Sequence, residues 1–177
     1  EDALHAWREW TRTRNFDDVN WAEIRLLGPL SLRLADLDPD SPLRPRVTGL
    51  ARRFWTKTQL RLQAAGEVFD ALSRHGIPFL LFKGAATYAE GYAPASRRIM
   101  GDVDLLVRRE RIEEAVETLT GAGWESVNGE SAEYLRYLSL IRLSGNYRKG
   151  TDGDVDLHSE LFHYERRDPV ADECLWA

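Results

Sequence analysis

The sequence predicts a fold of the α+β (α/β) class, in which a mixed β-sheet is flanked by helices and preceded by an N-terminal helical region. Three observations carry this prediction. Apolar residues recur at helical spacing through the first third of the chain. From Gly76 onward, short apolar segments typical of strands alternate with helical segments. Two later segments with strand character flank a turn at Lys149–Gly153, which predicts an antiparallel hairpin beside strands joined by a helix.

The first third of the chain is expected to contain two well-marked helices. The stretch DDVNWAEIRLL (17–27) offers Asp17 or Asp18 as a helix cap. The proline-rich stretch LDPDSPLRPR (37–46) predicts a loop. A long helix should then begin at about residue 45 or 48 and end at His75, because Gly76 is a favourable residue just beyond a helix C-terminus.

The remaining two thirds should build the sheet and the helices that cover it. A short buried strand is expected over IPFLLF (77–82), and a short helix over KGAATYAEGYA (83–93). A strand is predicted within RRIMGDVDLLV (97–107), followed by an amphipathic helix over 108–121 and a short strand at 124–127. Two hairpin strands should follow, YLRYLSLIRLS (134–144) and DVDLHSELF (154–162), joined by a turn at Asp152-Gly153.

Charge and composition exclude several classes of protein. Residues 1–66 carry 11 basic against 9 acidic residues, and the rest carries 13 against 20, within a total net charge of -5. A broad electrostatic grip on nucleic acid is therefore not expected. No apolar run approaches the roughly 20 residues that span a membrane, so no membrane partner is expected.

The termini and the single cysteine bear on cellular context. The chain begins at Glu1 without a methionine and stops at ECLWA, so we expect a C-terminally truncated piece of a longer protein. The lone Cys174 cannot form an internal disulfide and fits a reducing, cytoplasmic location. The oligomeric state does not follow from these features.

Two strands carry carboxylates at alternate positions. In RRIMGDVDLLV, strand alternation places Asp102 and Asp104 on one face. In DGDVDLHSE, it places Asp154, Asp156 and His158 on one face. If the two strands are neighbours, carboxylates converge and repel one another. A divalent cation such as Mg²⁺ relieves that repulsion, because hard cations prefer carboxylate oxygens.

The turn after the first strand offers a complementary anion site. In FLLFKGAA, Gly84 lets the backbone approach a ligand, the following helix start presents free N–H groups, and Lys83 adds a positive charge. An acidic cluster beside an anion-binding turn is the combination that metal-assisted phosphoryl or nucleotidyl transfer requires.

These motifs together resemble the uncharacterised nucleotidyltransferase family, a bacterial branch of the DNA polymerase beta-like superfamily. Its members read LLKGAAL, RPMGDIDLLV and VDLHW where this chain has LLFKGAA, RRIMGDVDLLV and VDLHS. The layout of the preceding helices also matches, so the resemblance covers nearly the whole chain. It implies a catalytic domain over 67–177, against which the helical region 1–66 packs.

The resemblance also implies roles for individual residues. Asp102, Asp104 and Asp156 would be the catalytic carboxylates and the ligands of two Mg²⁺ ions, with Mn²⁺ as an alternative. Asp156 would also draw the proton from the acceptor hydroxyl. The triphosphate would bind near Lys83, Gly84 and Ala85. The wider superfamily has Gly-Gly or Gly-Ser where this chain has Gly84-Ala85, which removes a hydroxyl but leaves the backbone donors.

Two further residues have alternative roles. Arg98 can bind a phosphate or pair with a carboxylate, the ion pair being slightly favoured. His158 can contact the substrate or hydrogen-bond a carboxylate, and a purely structural role fits equally well.

The activity implied is Mg²⁺-dependent transfer of a nucleoside monophosphate from an NTP, ATP for example, to an acceptor hydroxyl, with release of pyrophosphate. A small-molecule or protein acceptor fits the low basicity better than long RNA. Two other activities stay open: a catalytically degenerate nucleotide- or metal-binding regulatory or toxin–antitoxin module, and a metal-dependent phosphohydrolase.

Overall fold

The computed structural model describes residues 2–91, 99–161 and 173–176. The helices are α1 (Asp2–Thr13), α2 (Trp21–Leu30), α3 (Leu34–Leu37), α4 (Arg44–Arg74), α5 (Lys83–Ala89), α6 (Ile112–Gly121) and α7 (Ala132–Ile141), with short 3-10 turns at Phe16–Asp18 and Arg109–Arg111. The strands are β1 (Phe79–Leu81), β2 (Val103–Val107), β3 (Glu125–Ser126), β4 (Ser144–Lys149) and β5 (Gly153–His158).

The five strands form one mixed sheet in the order β1-β2-β5-β4-β3. β2 runs parallel to β5, and the other neighbouring pairs are antiparallel. This arrangement confirms the predicted α+β fold with a mixed sheet. β1 covers less of the chain than expected and is half-buried rather than buried, because it lies at the sheet edge.

The chain divides into two compact units. The first comprises residues 1–62 and 84–101, and the second comprises 63–83 and 102–177. Helix α4 therefore contributes residues to both. The expected domain boundary at residue 66, and the packing of one domain on the other, stay predictions. Among the described residues, no helix combines the length and apolar character needed to cross a bilayer.

The first unit has a hydrophobic core of its own. Trp7, Leu27, Leu34 and Val47 are buried together, and each comes from a different helix. The indole rings of Trp7 and Trp10 stack with centroids 5.5 Å apart. Four helices thus share one apolar cluster, as expected for amphipathic helices that bury their apolar faces against one another.

The cap of α2 differs from the expected one. Neither Asp17 nor Asp18 caps the helix, since both lie in the 3-10 turn before it. Asn20 is the cap: its side chain accepts a hydrogen bond from the Glu23 N–H, and the Glu23 carboxylate accepts one from the Asn20 N–H. This reciprocal capping box satisfies two backbone donors, which a single aspartate at position 17 or 18 does not do.

The long helix α4 follows the prediction closely. It begins at Arg44, ends at Arg74, and is followed by Gly76 with a φ of 62°. That left-handed conformation is one that glycine adopts without steric cost, so the helix ends there. The loop that was expected over 37–46 is shorter, because α3 includes Leu37 and α4 already includes residues 44–46.

The segment 134–144 is a helix for most of its length, and its prediction as a strand was wrong. Ser131 caps α7 by accepting a hydrogen bond from the Tyr134 N–H. Leu135 and Leu138, three residues apart, are buried, whereas Tyr134 and Tyr137 are exposed. The aromatic residues of this stretch are typical of strands, which is why its composition suggests one. The buried positions nevertheless follow a helical period, and the cap at Ser131 favours the helix.

The first strand of the hairpin is therefore β4, at 144–149. Only Tyr147 of its six residues is buried, so its hydrophobic pattern is weak. Its strand conformation comes from pairing with β5, in a register that joins Ser144 to His158 and Lys149 to Gly153. A hairpin that turns between residues 149 and 153 is confirmed, but its first strand is 144–149 rather than the predicted 134–144. The left-handed turn residue is Gly150, with a φ of 60°, and Gly153 already belongs to β5.

Gly153 is required by close packing rather than by its backbone angles. A Cβ at this position would lie 2.5 Å from the Lys149 carbonyl oxygen and 3.0 Å from the Trp124 ring. Gly153→Ala should lower the free energy of unfolding by about 1–3 kcal/mol, because a backbone atom cannot move aside as a side chain can. Urea unfolding followed by circular dichroism measures this loss.

The matched control is Gly121→Ala at the end of α6, where an added Cβ meets no atom within 4 Å. It should be neutral within about 0.5 kcal/mol or slightly stabilising. Equal stability of the two variants would contradict the packing explanation for Gly153.

Candidate functional site

The parallel pairing of β2 with β5 brings the acidic motifs together. Its register places Asp104 opposite Asp156, and Leu106 opposite His158. One ligand atom from each of Asp104, Asp156 and His158 lies within 4.8 Å of the other two. The expectation that the two strands are neighbours is confirmed, and the histidine joins the two aspartates in the cluster.

Asp102 occupies a different place. It lies just before β2 and is not one of the three residues whose ligand atoms meet within 4.8 Å in the described part of the chain. Burial and then the charges of Asp104 and Asp156 raise the pKa of Asp102. The negative charges of Asp104 and Asp156 therefore repel the Asp102 carboxylate.

Asp104 is the most buried carboxylate of the cluster, and a lysine and a histidine lie beside it. Its side chain is 5% exposed, the Lys83 ammonium donates to its Oδ1 over 2.6 Å, and the His158 Nε2 lies 3.4 Å from the same oxygen. Burial acts to raise the pKa of Asp104, but the contacts with His158 and Lys83 outweigh it and lower that pKa. The charged form of the carboxylate is thus favoured inside the protein.

His158 lies between the two carboxylates. Its Nε2 is 2.8 Å from Asp156 Oδ2, and its ring meets the Phe82 ring edge-on with centroids 4.7 Å apart. Burial acts to lower the pKa of His158, whereas the interactions with Asp104 and Asp156 raise it, and the net change is upward. Among the roles considered for His158, the geometry favours contact with the carboxylates.

The cluster has the donor atoms that a divalent cation binds. Asp156 Oδ1 is buried and accepts no hydrogen bond from the described residues. Carboxylate oxygens suit Mg²⁺ and Mn²⁺, and a histidine nitrogen suits iron, nickel, copper and zinc ions. The residues present therefore fit a metal centre.

The residues of the expected phosphate turn are only partly tied to this cluster. Lys83, the first residue of α5, contacts Asp104 directly. Gly84 and Ala85 are buried in the first turn of α5. They belong to the first compact unit, whereas the aspartates belong to the second, and their binding to a triphosphate stays a prediction. Arg98 lies outside the described residues, so its role also stays a prediction.

One ion pair beside the site was not anticipated from the sequence. The Arg109 Nη1 lies 3.1 Å from Glu160 Oε1 and donates to the Ser159 Oγ over 3.3 Å. Glu160 is only 3% exposed at its side chain. Arg109 follows β2 and Glu160 follows β5, so the pair joins the C-terminal ends of the two strands that carry the cluster. The available signal was an acidic residue two positions after the second acidic strand, but its partner is 51 positions away in the chain.

Comparisons with known proteins identify the family. The curated proteins and the solved structures contained no match to this chain. Among models of protein families, the one described as "Uncharacterised nucleotidyltransferase" matches residues 20–177, a range that includes every candidate site residue. Because that match covers most of the chain, the resemblance inferred from the motifs is confirmed, and the protein belongs to this family of nucleotidyltransferases.

Proposed function

We propose that the protein is a Mg²⁺-dependent nucleotidyltransferase that transfers a nucleoside monophosphate from an NTP to an acceptor hydroxyl and releases pyrophosphate. The observation that carries the proposal is the parallel register that sets Asp104 opposite Asp156, with ligand atoms within 4.8 Å, in a chain of the nucleotidyltransferase family. Family membership supports the reaction class, and the paired carboxylates support metal dependence.

In this proposal Asp104 and Asp156 hold the cations, with Asp102 as the third carboxylate at the start of β2. Two bound Mg²⁺ ions, or Mn²⁺ in their place, would supply charge neutralisation at the phosphates and a more acidic acceptor hydroxyl. His158 orients Asp156 through the 2.8 Å contact between its Nε2 and the carboxylate Oδ2. The remaining oxygen, Asp156 Oδ1, has no hydrogen bond within the described residues and is the atom that we assign to receive the acceptor proton.

The parallel pairing of β2 with β5 supports the positioning that such a reaction needs. All five residues of β2 are buried, and the Arg109–Glu160 ion pair joins the ends of β2 and β5. Phosphoryl transfer depends mainly on holding the reacting groups in line, so catalytic carboxylates on two buried parallel strands are well placed to contribute.

The acceptor is proposed to be a small molecule or a protein side chain, in the cytoplasm. The acidic balance of residues 67–177 argues against long RNA, because phosphate contacts require basic residues. ATP is the NTP to test first.

One observation favours a second candidate, a nucleotide- or metal-binding regulatory module without catalysis. Ala85 stands where the wider superfamily has glycine or serine, so a hydroxyl that would bind a phosphate is missing. A phosphohydrolase that uses water as the acceptor is distinguished by a reaction without added acceptor.

The test is release of pyrophosphate from each NTP with Mg²⁺ and a panel of acceptors, with α-labelled NTP to follow transfer of the monophosphate. We expect label on an acceptor together with pyrophosphate, and loss of both when EDTA removes the cation. Nucleotide binding without turnover under every condition would contradict the enzyme and favour the regulatory module. Product formation without acceptor would favour the hydrolase.

A further inference from the structure

Lys83 donates a hydrogen bond to a carboxylate oxygen that the proposed metal centre requires. Its Nζ lies 2.6 Å from Asp104 Oδ1, a short charge-assisted hydrogen bond. The Asp104 side chain is 5% exposed, whereas the Lys83 side chain is 52% exposed. The lysine therefore reaches from the solvent side of the site to a buried carboxylate.

The backbone at Lys83 is held in a strained conformation. Its φ is 51°, and among the described residues it is the one non-glycine residue with a positive φ. Such a conformation has a steric cost for a residue with a Cβ and persists only where the surroundings impose it. Here Lys83 is the first residue of α5, and its ammonium lies 5.0 Å from the centroid of the Phe82 ring. Both the backbone conformation of Lys83 and its ion pair with Asp104 therefore determine the position of the ammonium group.

The charges around Lys83 favour its position beside the carboxylates. Burial acts to lower the pKa of Lys83, but the hydrogen bond with Asp104 and the charges of Asp156 and Asp102 raise it, so the ammonium form is favoured. One positive charge among three carboxylates reduces their repulsion. A divalent cation placed at the same carboxylates would do so more fully.

We propose that Lys83 is a tethered counter-ion that holds Asp104 in the metal-free protein, is displaced when a divalent cation binds, and then becomes available to the phosphates of the nucleotide. The proposal rests on the proposed function, because it takes Asp104 as a metal ligand. Asp104 Oδ1 cannot hold an ammonium at 2.6 Å and a divalent cation at about 2.1 Å together without strong repulsion between the two cations.

Metal binding is then an exchange of cations rather than the filling of an empty cluster. The exchange opposes metal binding on its own, because Lys83 must give up its partner. A bound triphosphate favours it, because the phosphate oxygens accept the released ammonium. Lys83 thereby couples the metal to the nucleotide, so that each should bind more tightly in the presence of the other.

The experiment measures Mn²⁺ binding to the whole protein without nucleotide, by the electron paramagnetic resonance signal of free Mn²⁺. Lys83→Met keeps a long unbranched side chain at the same φ and removes the charge. We expect it to bind Mn²⁺ at least about fivefold more tightly than the wild type, the size of a modest coupling between sites. The matched control is Lys149→Met, which breaks an ion pair of the same 2.6 Å length, with Glu67, away from the cluster. It should bind Mn²⁺ as the wild type does.

A second measurement follows a fluorescent, non-hydrolysable NTP at saturating Mg²⁺. Lys83→Met should bind this nucleotide more weakly than the wild type, opposite in sign to its effect on the metal. A purely structural lysine would not produce opposite changes in the two affinities. Circular dichroism checks that the variant is folded, and Lys83→Gln provides a second neutral side chain if the methionine variant does not fold.

The outcomes separate this proposal from the function on which it rests. Mn²⁺ binding that is equal or weaker in the neutral variants, beside normal binding by the wild type, overturns the exchange and leaves the metal-dependent enzyme standing. Failure of the wild type itself to bind Mn²⁺, with or without nucleotide, overturns the metal centre and the exchange together.

Discussion

Asp104→Asn should lower the rate of nucleotidyl transfer by on the order of 10²–10³, the loss seen when one preorganised electrostatic contact to a transition state is removed. The change keeps the volume of the side chain and removes a charge that is buried between Lys83 and His158. An amide offers a cation only a neutral oxygen, so binding of Mn²⁺ should weaken as well. Initial rates with labelled NTP and Mn²⁺ titration measure the two effects.

The matched control for this change is Asp154→Asn. Asp154 lies on the same strand as Asp156, two residues before it, and its carboxylate pairs with Arg148 over 3.4 Å. It is not among the three residues whose ligand atoms converge. The Asp154 variant should retain activity within a few-fold of the wild type. Equal losses in both variants would indicate a general effect of acidic charge, and a fully active Asp104→Asn enzyme would exclude Asp104 as a catalytic ligand.

Trp124→Ala should lower the free energy of unfolding by about 3–5 kcal/mol, the usual cost of removing a large aromatic side chain from a core. Trp124 is 1% exposed, and its ring lies against Gly153 at the start of β5. The cavity left by the indole would remove the support under the hairpin that carries Asp156. Chemical unfolding monitored by circular dichroism measures the loss.

Two further variants make this result specific. Trp124→Phe should cost less than about 1.5 kcal/mol, because a ring is retained and because the buried indole N–H has no hydrogen-bond acceptor among the described residues. Trp55→Ala removes the same side chain from a position that is 45% exposed, and it should change stability by about 1 kcal/mol or less. A large loss at Trp55, or a small one at Trp124, would show that the burial has been misjudged.

The elements that could be predicted from the sequence are those with strong local signals. The end of α4 is one, since a glycine in a left-handed conformation follows a long amphipathic run. The acidic strands are another: the aspartates alternate with valine and leucine, and their alternation already places them on one face. Asn20 could also have been found, because Asn followed three residues later by Glu is a capping-box pattern.

The elements that could not be predicted depend on partners distant in the chain. β4 has a weak hydrophobic pattern and is a strand because it pairs with β5. Helix α7 is a different case, because its composition is typical of strands while its cap at Ser131 is a local signal for a helix. Local composition is a weak guide wherever tertiary pairing outweighs intrinsic propensity.

The sequence by itself determined the family, the mixed sheet and the pair of acidic strands, because motif spacing and strand alternation are local properties of the chain. Only the tertiary structure decided that β2 lies parallel to β5 with Asp104 opposite Asp156. It also decided that Asp104 meets Lys83, 21 positions earlier in the chain, and His158, on the neighbouring strand. Buried charges require oppositely charged partners, and which residues provide them is set by the packing of strands rather than by their order in the sequence.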